Sequence, residues 1–152
     1  MDKEKIKELI DIAIEREEES YEFYSNVATV LENPSLKQLF TELANEEIGH
    51  KNFLLNILEK PDAHVVINAP KIDYKLAEQV ELPKLSMSMK PAEAIALAMK
   101  KELQAAEFYQ ELAANMSDEN LKASAISLAN MELAHKTKLE KAYVDIAYIE
   151  AF

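Results

Sequence analysis

The strongest constraint on this chain is an internal repeat held at a single offset. Glu17-x4-Glu22-Phe23-Tyr24 recurs as Glu102-x4-Glu107-Phe108-Tyr109. Leu43-Ala44-Asn45-x-Glu47-x-x-His50-Lys51 recurs as Leu128-Ala129-Asn130-x-Glu132-x-x-His135-Lys136. The separation is 85 residues whether taken as 102 − 17, 109 − 24, 132 − 47 or 135 − 50. Chance likeness between helices does not keep register through two intervening loops, so the chain reads as a duplicated two-element unit.

The elements are helices. Apolar residues recur at alternating steps of three and four, which trace one face of a helix. The first stripe reads Ile6, Ile10, Ala13, Glu17, Tyr21, Tyr24, Ala28, Leu31, in a helix beginning after an N-cap at Asp2. The second opens at Asn33-Pro34, a cap followed by a first-turn proline, and reads Leu36, Leu39, Leu43, Glu47, His50, Leu54, Ile57. The third follows Pro91 with Ile95, Ala98, Glu102, Ala105, Tyr109, Leu112 and Met116. The fourth follows Ser117-Asp118 with Leu121, Ala125, Leu128, Glu132, His135, Leu139, Ala142 and Ile146. One glycine in 152 residues, with abundant Ala, Leu, Glu and Lys, favours helix over sheet.

The spacing predicts an all-α antiparallel four-helix bundle in one domain. A helical hairpin covers 3–59, a crossover 60–90, the repeated hairpin 91–146 and an apolar tail 147–152. Within each hairpin only a few polar residues separate the helices, so the two run antiparallel. Helices of this length span roughly 40 Å at 1.5 Å per residue. A connection of about 30 residues, at up to roughly 3.3 Å each, can run that far and start the third helix at the opposite end.

Four acidic residues stand where a solvated side chain should not. Glu17, Glu47, Glu102 and Glu132 lie on stripes whose neighbouring turns supply Leu, Ile, Ala or Tyr, and the stripes hold no Lys or Arg. Burying unpaired carboxylates costs several kcal/mol each, and convergent ones also repel. Protonation, basic partners or cations are the available remedies. Two divalent cations offset four carboxylates, while His50 and His135 add one nitrogen ligand per metal. Glu and His at i, i+3 share a helix face, so both reach one point beside the helix. Carboxylates with imidazole suit iron or manganese better than a thiolate-preferring ion.

One Glu from each of two helices with Glu-x-x-His from each of the other two is the ligand pattern of ferritin-like di-iron proteins, whose bundles carry one long crossover. With Glu-x6-Tyr on the odd helices added, the chain resembles the rubrerythrin branch of that superfamily over nearly its whole length, apart from the crossover and the last ten residues. The resemblance implies a site of two iron ions, with manganese as the alternative, reacting with peroxide or O2. It makes Glu17 and Glu102 ligands from helices one and three, Glu47 and Glu132 bridging carboxylates, and His50 and His135 terminal nitrogens. Tyr24 and Tyr109 correspond to phenols that hydrogen-bond ligand carboxylates, with ordinary core packing and a satisfied hydroxyl as the alternative. Two departures qualify it. Rubrerythrins proper add a rubredoxin-like domain with four cysteines, whereas this chain has none, so electrons must come from an external donor protein. The family's extra Glu, one turn after the helix-three ligand, is here Ala105. Its absence leaves the peroxide-linked ligand exchange of that family unsupported.

A formal net charge of −11 argues against nucleic acid, whose phosphates demand clustered Lys and Arg. No apolar run is long enough for a bilayer and the charged N-terminus is no secretory signal, which points to a cytoplasmic protein. The apolar tail from Ala142 to Phe152 would be sticky if exposed, so it is expected to pack on the bundle or on another copy in a homodimer or larger homo-oligomer. Glu15, Glu18, Glu19 and Glu46 read as solvated, Glu22 and Glu107 as partners in a surface salt bridge or hairpin contact, and His64 as an ordinary surface residue. Gly49, beside His50, fits either a close helix approach or access to metal. Against the oxidoreductase stand two other readings: an iron-binding or storage protein without turnover, and a metal-free structural or regulatory bundle.

Overall fold

The computed structural model describes residues 3–60, 67–80 and 90–150. The fold is all-α and of the four-helix-bundle class, with no strand among the described residues. Helix α1 spans Lys3–Val30, α2 Pro34–Glu59, α3 Pro91–Ala114 and α4 Glu119–Glu150. The helical backbone of α4 continues past 146, and Val144, just before that point, is half exposed. The packing expected of the tail's last residues, the Asp2 cap and His64 lie outside the described residues.

The helix starts follow from local chemistry. Asn33 is extended at φ −67°, ψ 119°, and its Oδ1 accepts from the Ser35 and Leu36 amides at 2.9 and 3.2 Å. Two amide donors that the first turn leaves unpaired are thereby satisfied, and Pro34 costs nothing at the first position. Asp118 does the same for α4, its Oδ1 accepting from the Leu121 amide at 3.0 Å.

Two compact units divide the chain. One holds α1, α2 and the start of α4; the other holds the described crossover residues, α3 and the rest of α4. In the first, α1 packs on α2 by burying Ile10, Ala13, Leu43 and Leu54, with Tyr24 edge-on to Phe40 at 5.8 Å. Each large apolar side chain so buried contributes about 1.5–3 kcal/mol. Tyr21 departs from its expected place on the stripe: it is 37% exposed and lines an open groove of about 330 Å³ with Ser25, Thr41 and Asn45. Tyr21 lies about 40° round the helix from Glu17 and about 60° from Tyr24, on the flank of the stripe that borders this groove. Gly49 is exposed, and a Cβ built there meets no described atom within 4 Å, so no close helix approach calls for glycine. Gly49→Ala should therefore raise stability by about 1 kcal/mol, read as a higher urea midpoint with unchanged slope.

In the second unit the crossover is pinned along α4. The Ile67 amide donates to Ser127 Oγ at 3.2 Å, and Asn130 Nδ2 donates to the Ile67 carbonyl at 2.6 Å. Thr137 Oγ1 donates to the Ile72 carbonyl at 3.0 Å. Lys136, with its side chain 1% exposed, extends Nζ to Asp73 Oδ1 at 2.7 Å, Glu78 Oε1 at 2.9 Å and Glu140 Oε2 at 3.3 Å. Glu140, wholly buried, in turn accepts from the Leu76 and Ala77 amides at 2.7 and 3.1 Å. Between these anchors Lys75 sits at φ 53°, a left-handed conformation costing on the order of 1 kcal/mol. Its amide donates to Asp73 Oδ1 at 2.9 Å, which helps hold the turn.

Burial pulls the Lys136 ammonium down, but hydrogen bonds to Asp73 and Glu78 and the Glu140 charge prevail and hold it above its ordinary value. Burial likewise pushes the Asp73 carboxyl up, yet the hydrogen bond from Lys136 and the Lys75 amide hold it below the usual carboxylate range. A depressed carboxyl contributes stability that is complete above its unfolded value and lost as pH falls through the folded one. The penalty for Asp73→Asn should thus shrink between pH 7 and pH 3, measured as the difference in urea midpoint from the parent protein. Because Asp73 is 39% exposed, the change is small, on the order of 0.5 kcal/mol.

Candidate functional site

Each hairpin buries its own cluster of two carboxylates and one imidazole. In the first, α1 supplies Glu17 and α2 supplies Glu47 and His50 one turn apart. His50 Nδ1 lies 3.5 Å from Glu17 Oε2 and 3.8 Å from Glu47 Oε2. In the second, α3 supplies Glu102 and α4 supplies Glu132 and His135, with His135 Nδ1 3.4 Å from Glu102 Oε1. Within each trio one atom per residue lies within 4.8 Å of the others, close enough to share an ion. The four carboxylates are 1–3% exposed and the two histidines 4–6%. The repeated motif therefore builds the same object twice, as the i, i+3 spacing on a buried face requires.

The donor chemistry fits a divalent cation. Each trio offers carboxylate oxygens, which favour hard cations, and one ring nitrogen, which suits first-row transition metals. Buried carboxylates in water-excluded surroundings need compensating positive charge, and a shared cation supplies it to both at once. Glu17, Glu47 and His50, and likewise Glu102, Glu132 and His135, are the residues that could hold it.

Tyr24 and Tyr109 are each 1% exposed, and each packs edge-on against the preceding phenylalanine, Phe23 or Phe108, at 5.3 Å. Ala105, where the family resemblance calls for a further Glu, is half-buried and brings no donor. Glu22 and Glu107 are exposed, and Glu18 makes a surface ion pair with Lys51 at 3.3 Å. Glu46, expected to be solvated, is half-buried.

The Lys136 cluster went unseen in sequence because Lys136 merely repeats Lys51, and a lysine beside a histidine reads as surface. The available signal was the pair Lys136 and Glu140 at i, i+4, where the first hairpin has Lys51 and Leu55. Glutamate replacing leucine at a repeat position marks a new ionic role for the lysine one turn before it.

Comparison with known proteins agrees with this geometry. A search of curated proteins finds no match. A hypothetical protein of solved structure from Pyrococcus furiosus is similar, with 28% identity, a TM-score of 0.66, and coverage of 91% of this chain and 87% of its own. The family model described as Rubrerythrin matches residues 8–143, a span that includes both clusters and the crossover, and the chain accordingly belongs to the rubrerythrin family.

Proposed function

We propose that the two clusters together hold a pair of iron ions, with manganese as the alternative, and that the protein is an oxidoreductase acting on peroxide or dioxygen. The observation that carries this reading is the buried Glu, Glu-x-x-His trio, built twice in a chain of the rubrerythrin family. In this reading Glu17, Glu47 and His50 would hold one ion and Glu102, Glu132 and His135 the other, each histidine as a neutral imidazole. An iron pair, when bound, supplies the electrons that reduce the oxidant.

The residues of the chain do the rest. Four carboxylates set the charge that selects divalent ions. The surrounding Leu, Ile and Ala side chains limit water, which strengthens every electrostatic contact within. Tyr24 and Tyr109 donate hydrogen bonds that orient ligand carboxylates. In this reading an external donor protein supplies the reducing equivalents. With Ala105 bringing no carboxylate, six ligands serve both ions.

Metal analysis of protein from iron-supplemented cells tests the reading, with about two ions per chain expected and most of them lost in Glu47→Ala. Less than about one ion per chain, unchanged in Glu47→Ala, would defeat it in favour of a metal-free bundle. Iron-loaded protein should also consume peroxide in the presence of a chemical reductant. Full loading without consumption of peroxide or O2 would replace the oxidoreductase with an iron-binding protein.

A further inference from the structure

The two trios are chemically alike but mechanically different, and the difference lies in what surrounds them. Between Ser127 and Glu140 α4 is tied to the crossover by Ser127, Asn130, Lys136, Thr137 and Glu140. Glu132 and His135 fall inside that clamped span. At the equivalent positions, 85 residues earlier, α2 carries Glu42, Asn45, Lys51, Asn52 and Leu55. Glu42 accepts from Gln38 of its own helix at 3.0 Å, Lys51 pairs with the exposed Glu18 at 3.3 Å, and Leu55 is 40% exposed. Among the described residues, none of these five holds a segment of the crossover.

Given the two-ion reading above, on which this step rests, we infer that the clamp makes the two ion sites unequal, so that the Glu102, Glu132, His135 trio loads first and the Glu17, Glu47, His50 trio second. A ligand set held in place by its surroundings gives up less conformational freedom when it closes on an ion. Partners outside the ligand set commonly change metal affinity by about 10- to 100-fold. Lys136 adjoins His135 in sequence and is anchored at three carboxylates, so it fixes the stretch of α4 that aims His135. Lys136 is thus a positioning residue.

Anaerobic titration of metal-free protein with Mn2+, followed by calorimetry and by the electron paramagnetic resonance of free Mn2+, reads the two steps separately. Wild-type protein should bind in two steps whose affinities differ by about tenfold or more. Glu102→Gln should remove the tight step and Glu17→Gln the weak one. Lys136→Met should weaken the tight step by about tenfold while leaving the weak step in place, and Lys51→Met should move neither by more than about twofold. General destabilisation would move both steps together, so this split separates positioning from mere loss of structure. If Lys136→Met fails to fold, as judged by circular dichroism, Asp73→Asn with Glu78→Gln loosens the same clamp from its exposed side. Two equal steps in the wild type, or a tight step unmoved in a folded clamp variant, would overturn the inference. No Mn2+ binding at all would instead remove the two-ion reading beneath it.

Discussion

Loading the metal-free protein with Mn2+ at about 100 times the dissociation constant of each site should raise its melting temperature by on the order of 10–20 °C. An ion bound only by the folded chain stabilises it by about 2.7 kcal/mol per site at that concentration, so two sites give roughly 5 kcal/mol. For a domain near this size, 1 kcal/mol corresponds to about 2–4 °C. The double variant Glu17→Gln, Glu102→Gln should lose most of that gain, since an amide oxygen is a poor replacement for an anionic ligand. Without metal the same variant should melt no lower than the wild type. Gln preserves volume, and two anionic groups 3% and 1% exposed no longer need compensation. A gain in melting temperature surviving in the double variant would place the ions elsewhere on the acidic surface. Calorimetric scans at matched protein and Mn2+ concentrations make the comparison.

The fold was legible because its instructions are local and repeated. Stripes at steps of three and four located each helix, and Asn33-Pro34 and Ser117-Asp118 marked starts that the structure places at Pro34 and Glu119. The two trios were legible for a related reason: a carboxylate on an apolar stripe contradicts its surroundings unless something compensates it, and a repeat at constant offset shows the contradiction twice. The crossover behaved differently. Its course depends on hydrogen bonds such as Asn130 to Ile67 and Thr137 to Ile72, which join residues 63 and 65 positions apart and leave no periodic trace. Lys136 was hidden by the repeat itself, since the matching Lys51 is a surface residue and duplication invites the same reading for both. Tyr21 was misplaced by a stripe drawn too wide, its ring turning to the groove rather than the core.

Lys136 also carries the second large expected effect. Lys136→Ala should destabilise the protein by about 3 kcal/mol, because it removes the ammonium that faces a wholly buried Glu140 carboxylate. Asp73 and Glu78 are more than a third exposed, so water can take over their solvation, and they add little to the loss. The penalty is therefore concentrated on Glu140. Neutralising that residue as well should return much of the stability, provided the Leu76 and Ala77 amides keep their acceptor. Glu140→Gln meets the condition, since its amide oxygen can occupy the position of Oε2. In the background Lys136→Met, which preserves side-chain length, adding Glu140→Gln should thus raise the urea midpoint, although each change made alone lowers it. That reversal would be the mark of a buried charge pair. Additive losses would mean instead that Lys136 stabilises chiefly through its packed aliphatic stem.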